Sequence, residues 1–296
     1  MNGKRRREKV FAVLPTMLTL GNAACGFGAI TFAAKVGPDT AGGGGGELFV
    51  AALLIFLAML FDALDGSAAR LTDQTSEFGA QLDSLCDAIS FGVAPAFLML
   101  QFIHPGHGQH LNLLEEMLET NNVSLVEYPR ELLWVIACLY VVCALLRLAR
   151  FNVETDEDDS HEGFSGLPSP AAAGTVASFP IAIRGIVKYA NNPDSRFHDF
   201  ACNSITLIAL LLPLITLAVA LLMVSRFQYT HVFNQLFKGT RTRAQLLQVV
   251  FAIAMVALIK EIALPVICCG FAFSAPVRSG WRQYVVPARK RTSEAP

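Results

Sequence analysis

Six apolar runs of bilayer-crossing length follow one another in this chain, near residues 10–34, 47–71, 80–103, 131–151, 169–190 and 203–224. A backbone surrounded by hydrocarbon must satisfy its own N–H and C=O groups. A helix does so within one segment, and about 20 residues of it cross the apolar core. Such a chain is expected to fold as an all-α, polytopic transmembrane helix bundle. Composition agrees: 53% of residues are hydrophobic and 16% charged, against about 25% charged in a typical soluble domain. The 23 Lys and Arg are balanced by 24 Asp and Glu. That leaves no basic excess for nucleic acid, which is excluded as a partner.

Charge sets the expected orientation. Lys4, Arg5, Arg6, Arg7 and Lys9 precede the first run, which is too long for the h-region of a cleaved signal. It reads as an uncleaved first helix with its N-terminus in the cytoplasm of a cell-membrane protein. Six spans return the chain to the cytoplasmic side near Arg226, where 226–243 is basic. A further apolar stretch, 245–277, is interrupted by Lys260, Glu261 and Pro265. It fits one kinked helix or a hairpin of two short ones. The basic tail, with Arg278, Arg282, Arg289, Lys290 and Arg291, requires an even number of spans. This favours the hairpin and about eight spans: a membrane domain over 1–230, then a C-terminal hairpin and basic cytoplasmic tail over 231–296.

The remaining polar stretches read as loops. The glycine run 42–46 reads as a flexible outer linker. His104, His107 and His110 fall among Pro and Gly and read as a solvated loop rather than a metal site. The acidic run 154–162 lacks the glycine-centred calcium loop and reads as a solvated cytoplasmic face. Seven cysteines lie in apolar surroundings without CxxC spacing and read as small buried hydrophobes.

The informative charges are Asp62, Asp65, Asp83 and Asp87, on segments otherwise apolar enough to be membrane helices. An ionised carboxylate there is costly unless paired or bound to a cation. Asp62 and Asp65 are i,i+3, Asp83 and Asp87 are i,i+4, so each pair shares one helix face. If the chain reverses near residue 74, the two pairs lie about 12–20 Å on either side of the turn, at 1.5 Å per residue. They then meet at matching depth on antiparallel helices and form a carboxylate cage suited to Mg²⁺ or Mn²⁺. Gly66 and Gly79 leave room for a ligand to approach. Ala69 is small, and Arg70 offers a planar fork of donors for phosphate. Together these are the equipment for binding a diphosphate.

The same residues spell D-x2-D-G-x2-A-R-x8-G-x3-D-x3-D across Asp62, Asp65, Gly66, Ala69, Arg70, Gly79, Asp83 and Asp87, with every spacing matched. This resembles the CDP-alcohol phosphatidyltransferase signature. Further stretches resemble the branch that transfers to serine. They are Pro15, Thr16, Thr19, Asn22 and Gly26 in the first helix, SEFGAQLDS at 76–84, SFGVAP at 90–95, RLARFN at 147–152 and FSGLPSPAA at 164–172. That branch usually has Asn where Thr16 stands. The resemblance covers about residues 10–230. It implies a six-helix core, a homodimer among membrane lipids, and an active site open to the cytoplasmic leaflet. It also implies that Asp62, Asp65, Asp83 and Asp87 hold Mg²⁺ or Mn²⁺ on the diphosphate, and that Gly66, Ala69, Arg70 and Gly79 line the CDP pocket.

The implied reaction joins CDP-diacylglycerol and L-serine to give phosphatidylserine and CMP, with Asp87 as general base. Arg147 and Arg150 read from spacing alone as snorkelling side chains at the end of the fourth helix. The resemblance gives them a part in holding phosphate or the serine carboxylate, with Asn152 and Ser169 completing the acceptor pocket. The competing readings are a transferase using glycerol phosphate or inositol phosphate, an aspartate-rich intramembrane prenyltransferase, and a cation transporter. The Gly-x2-Ala-Arg insert disfavours the prenyltransferase. The clustering of the aspartates beside Arg70 disfavours the transporter.

Overall fold

The computed structural model describes residues 2–36, 45–72, 77–103, 129–157, 166–190, 192, 196–227, 229 and 262–293. Of 2–14, 45, 67–72, 77, 154–157 and 280–293 it describes the backbone alone. The described residues are helical, with no strand among them. In chain order they form α1 (Asn2–Ala34), α2 (Gly45–Thr72), α3 (Glu77–Asp87), α4 (Ala94–Ile103), α5 (Arg130–Glu157), α6 (Ser169–Ala190), α7 (His198–Val224) and α8 (Ala263–Ser293). The expected bundle is present: among the described residues six helical stretches are long and apolar enough to cross a membrane, and all six fall on the apolar runs. The chain is a multi-pass membrane protein.

Small residues set how closely the helices approach. Ala29 and Ala33 of α1 and Ala51, Ala52 and Ala58 of α2 are buried in one core. A Cβ at Gly21 would touch the Phe61 ring at 3.5 Å, and one at Gly28 would lie 3.2 Å from Leu54 Cδ1. Membrane helices gain no hydrophobic drive from lipid, so this close backbone packing is what holds such a pair together. The outer face of α2, with Leu53, Leu57, Leu60 and Leu64, is exposed and suited to lipid.

α6 is the opposite kind of helix. Every residue from Ala172 to Pro180 is buried, and α2, α4, α7 and α8 pack around it. Its run of Ala, Gly, Thr and Ser lets neighbours close in on all sides. Its entry is held by backbone: Gly166 N–H donates to Phe227 O at 2.9 Å and Leu167 N–H to Leu222 O at 3.0 Å. Gly166 has φ +92°, and a Cβ there would run into the Met223 carbonyl. Only glycine fits, which explains the start of the GLPSP stretch.

Three features differ from the sequence reading. The third span is not one regular α-helix: Ala88–Val93, between α3 and α4, is π-helical. A π turn shifts the register of every residue after it and leaves a ladder carbonyl to be satisfied; the Tyr140 hydroxyl donates to Phe91 O at 3.2 Å. Gly45 and Gly46 belong to the first turn of α2 rather than to a linker. Glycine costs little where the first N–H groups lack intrahelical partners anyway. The acidic run also begins inside α5, which continues to Glu157.

The second arm of the expected hairpin is the apolar part of α8, Ala263–Ser279, which packs on α6. Tyr229 donates to Ala272 O at 2.8 Å, and Ala272 and Ala275 join the main core. The first arm, the histidine loop and most of the acidic run lie outside the described residues.

Candidate functional site

Carboxylates of α2 and α3 come together at one place. One carboxylate oxygen each of Asp62, Asp83 and Asp87 lie within 4.8 Å of one another. Asp65, one turn further along α2, is buried at 5% exposure, and its charge acts on Asp62. Its neighbour on α1 is the Thr19 side chain. The four aspartates thus gather at one junction of α1, α2 and α3.

The polar atoms at this junction are mismatched in a specific way. Asn22 Oδ1, Asp65 Oδ2 and Asp83 Oδ1 are buried without a hydrogen-bond partner. All three are acceptors. A buried acceptor with no donor costs about 1–3 kcal/mol, and more for a charged group. Their common remedy is a cation or a ligand rich in donors. The donor set is hard oxygen at close spacing, which fits Mg²⁺ or Mn²⁺.

Arg147 of α5 lies close enough for its charge to act on Asp62 and Asp87. It does not snorkel outward. One guanidinium N–H donates to Ser169 Oγ at 2.8 Å, while its Nε is buried without a partner. Ser169 is fully buried at the first turn of α6, with Pro170 after it. Proline suits that position, since its missing N–H would be unpaired there anyway. Arg147 and Ser169 therefore meet.

The other expected acceptor residues separate from them. Arg150 is exposed. Asn152 turns to Ser84 of α3, donating from Nδ2 to Ser84 Oγ at 3.0 Å, and so ties the end of α5 to the helix carrying Asp83 and Asp87. Gly66 opens outward, with nothing within 4 Å of where a Cβ would stand, and Gly79 is half-buried. Ala69 and Arg70 follow on the same helix, α2; their side chains lie outside the described residues.

Three residues of this junction carry no role from the sequence. Asn22 Nδ2 donates to Asp87 Oδ1 at 2.8 Å. Ser90 donates to the Asn22 carbonyl at 2.9 Å, and Tyr140 holds the π turn. A signal existed for the first two, since each is a polar residue inside an apolar span. Their partners lie 65 and 68 residues away, beyond any helical periodicity.

Comparison with known proteins bears on the same residues. The family model for CDP-alcohol phosphatidyltransferase matches residues 12–192. The CDP-diacylglycerol–serine O-phosphatidyltransferase of Mycobacterium tuberculosis (strain ATCC 25618 / H37Rv) is 34% identical over 172 residues, 57% of this chain and 49% of that protein. An archaetidylserine synthase of Methanothermobacter thermautotrophicus is 35% identical over 181 residues, 60% of this chain and 61% of that protein. The CDP-diacylglycerol–serine O-phosphatidyltransferase of Helicobacter pylori (strain ATCC 700392 / 26695) is 33% identical over 127 residues, 43% of this chain and 44% of that protein. The chain thus spans about half the length of the curated relatives it matches. The matched region contains all four aspartates, Arg147 and Ser169, and it is more than half of this sequence: the chain belongs to the CDP-alcohol phosphatidyltransferase family.

Proposed function

We propose that this protein transfers the phosphatidyl group of CDP-diacylglycerol to L-serine, forming phosphatidylserine and CMP. The observation that carries this reading is the convergence of Asp62, Asp83 and Asp87 inside a membrane bundle, among buried acceptors that lack donors. Serine as the acceptor rests on the names of the relatives. A divalent cation, Mg²⁺ or Mn²⁺, held by Asp62, Asp65, Asp83 and Asp87, would neutralise the diphosphate and the departing CMP.

The chain's own residues do the rest. In this reading Gly66, Ala69, Arg70 and Gly79 take the CDP side: small residues admit the nucleotide, and Arg70 supplies donors for phosphate. Arg147, oriented by Ser169, takes an anionic group: the transferred phosphate or the serine carboxylate. Arg150 and Asn152 stand at the same end of α5, Asn152 as a tie to α3. Asp87 accepts the proton of the serine hydroxyl as the oxygen attacks the phosphorus bearing diacylglycerol. The new P–O bond forms, the bond to CMP breaks, and the proton rests on the Asp87 carboxyl. The basic N-terminal head supports an active site open to the cytoplasmic leaflet.

The test supplies purified protein with CDP-diacylglycerol and Mn²⁺ or Mg²⁺. Serine, glycerol 3-phosphate and inositol phosphate are added in parallel, and CMP is measured. CMP release that depends on serine is expected. Release with another acceptor and none with serine overturns the reading.

A further inference from the structure

The bond between Asn22 and Asp87 has no part in the transfer as described, yet it is among the most enclosed polar contacts in the bundle. Asn22 is 0% exposed and Asp87 8%. A carboxylate only accepts, so the amide must turn its nitrogen toward Asp87, and the 2.8 Å Nδ2–Oδ1 contact is that bond. This fixes the amide orientation and leaves Asn22 Oδ1 as a buried acceptor without a donor.

Asn22 is itself held. Its carbonyl accepts from Ser90 Oγ at 2.9 Å. One turn further along α1, a Cβ at Gly26 would lie 2.7 Å from Ser90 Cα, so the two backbones touch there. Ser90 sits in the π-helical turn that follows Asp87, and the neighbouring Phe91 carbonyl takes the Tyr140 hydroxyl. A frame therefore runs from α1 through the π turn to α5, and the Asn22 amide joins it to the Asp87 carboxylate. Without that amide the Asp87 side chain can rotate away from the like charges of Asp62 and Asp83.

We propose that Asn22 is a positioning residue: by donating to Asp87 it holds that carboxylate in the cation-binding geometry. The inference rests on the reading of Asp62, Asp83 and Asp87 as the cation site of the proposed transfer. The Nδ2 bond acts through Asp87, which makes it testable as a coupling.

The experiment titrates Mn²⁺ alone into the purified full-length protein in detergent and reads free Mn²⁺ by electron paramagnetic resonance. The proteins are wild type, Asn22→Ala, Asp87→Asn and the double variant. Asn22→Ala is expected to weaken Mn²⁺ binding about tenfold, the size of one hydrogen bond to a charged group. The double variant is expected to bind no more weakly than Asp87→Asn. In CMP release, kcat should fall by a similar factor while KM for CDP-diacylglycerol stays within about twofold.

Unchanged Mn²⁺ affinity in Asn22→Ala overturns the proposal. So does an equal loss in both backgrounds, because Asn22 would then act directly or through overall stability. If Asn22→Ala does not fold, Ser90→Ala carries the same cycle with a loss of about threefold, judged by the same two outcomes. The Mn²⁺ arm needs no acceptor, so a wrong assignment of serine silences the CMP arm and leaves this one decisive.

Discussion

Thr175 and Ser178 in the middle of α6 are as deeply buried as Asn22 and Asp65 at the α1–α2–α3 junction. Their polar atoms are treated differently. Thr175 donates to Ala171 O at 2.8 Å, with Cys268 O of α8 a longer second acceptor at 3.5 Å, and Ser178 donates to Thr175 O at 2.7 Å. Thr216 of α7 does the same with Leu212 O at 2.8 Å. These hydroxyls close their accounts locally. At the junction the groups are acceptors in excess, and Asn22 Oδ1, Asp65 Oδ2 and Asp83 Oδ1 stay unmatched. Burial alone does not mark a site in a membrane bundle. Burial with several acceptors gathered together and unanswered by protein donors points to one, because a bound cation or ligand removes that cost.

The comparison breaks most visibly at the carboxylates. Asp83→Asn should lower kcat/KM for CMP release on the order of 10³-fold and abolish Mn²⁺ binding, without lowering the melting temperature in detergent. Four like charges without a cation oppose folding, so removing one should not destabilise. A melting temperature that collapses while Mn²⁺ still binds would place these aspartates with the structural hydroxyls instead. Chelation should act in the same direction: excess EDTA should stop turnover, and added Mn²⁺ or Mg²⁺ should restore it.

Arg147→Ala should raise KM for the acceptor or lower kcat by about 10- to 100-fold, the range for one charged hydrogen bond. Arg147→Lys should recover little, since an ammonium cannot hold Ser169 and an anion with a planar fork. A recovery to wild-type kinetics would mean that Arg147 acts only as a diffuse charge.

Gly166→Ala tests the frame rather than the chemistry. The left-handed backbone at φ +92° costs a side chain about 1–2 kcal/mol, and the Met223 carbonyl stands where the Cβ would go. Stability should fall by at least that amount, read from thermal melts in detergent. The smallest effect belongs to α6: Ser178→Ala should cost about 0.6 kcal/mol, the average for intramembrane hydrogen bonds, and leave CMP release unchanged. A large loss of activity there would show that α6 does more than support Ser169.

The six spans were readable because hydropathy and length are sums over a segment, and sums survive ignorance of neighbours. The convergence of Asp62, Asp83 and Asp87 was readable for a related reason: two antiparallel helices joined by a short link share one depth scale. The acceptor residues were harder. Arg147 and Arg150 are i,i+3 and look equivalent in sequence, yet one turns inward to Ser169 and the other is exposed. In a helix that is apolar all round, no amphipathic stripe says which face meets protein and which meets lipid. The π turn after Asp87 was hidden for another reason. Its partners, Tyr140 for the Phe91 carbonyl and the Asn22 carbonyl for Ser90, lie on different helices.

By itself the sequence determined that the chain crosses the membrane in helices, where each span lies, and that four aspartates share a level in the bundle. Each of these follows from composition and from distance along one chain. Only the tertiary structure decided how the helices are rotated against one another. That rotation brings Asn22 to Asp87 across 65 residues, seats Arg147 on Ser169, and leaves acceptors of Asn22, Asp65 and Asp83 buried without a donor. The physical reason is that side-chain packing chooses rotation. Close contact at Gly26, where α1 meets the π turn, and at Gly28, where it meets α2, allows one arrangement of these helices, and the geometry of the site is a consequence of that choice.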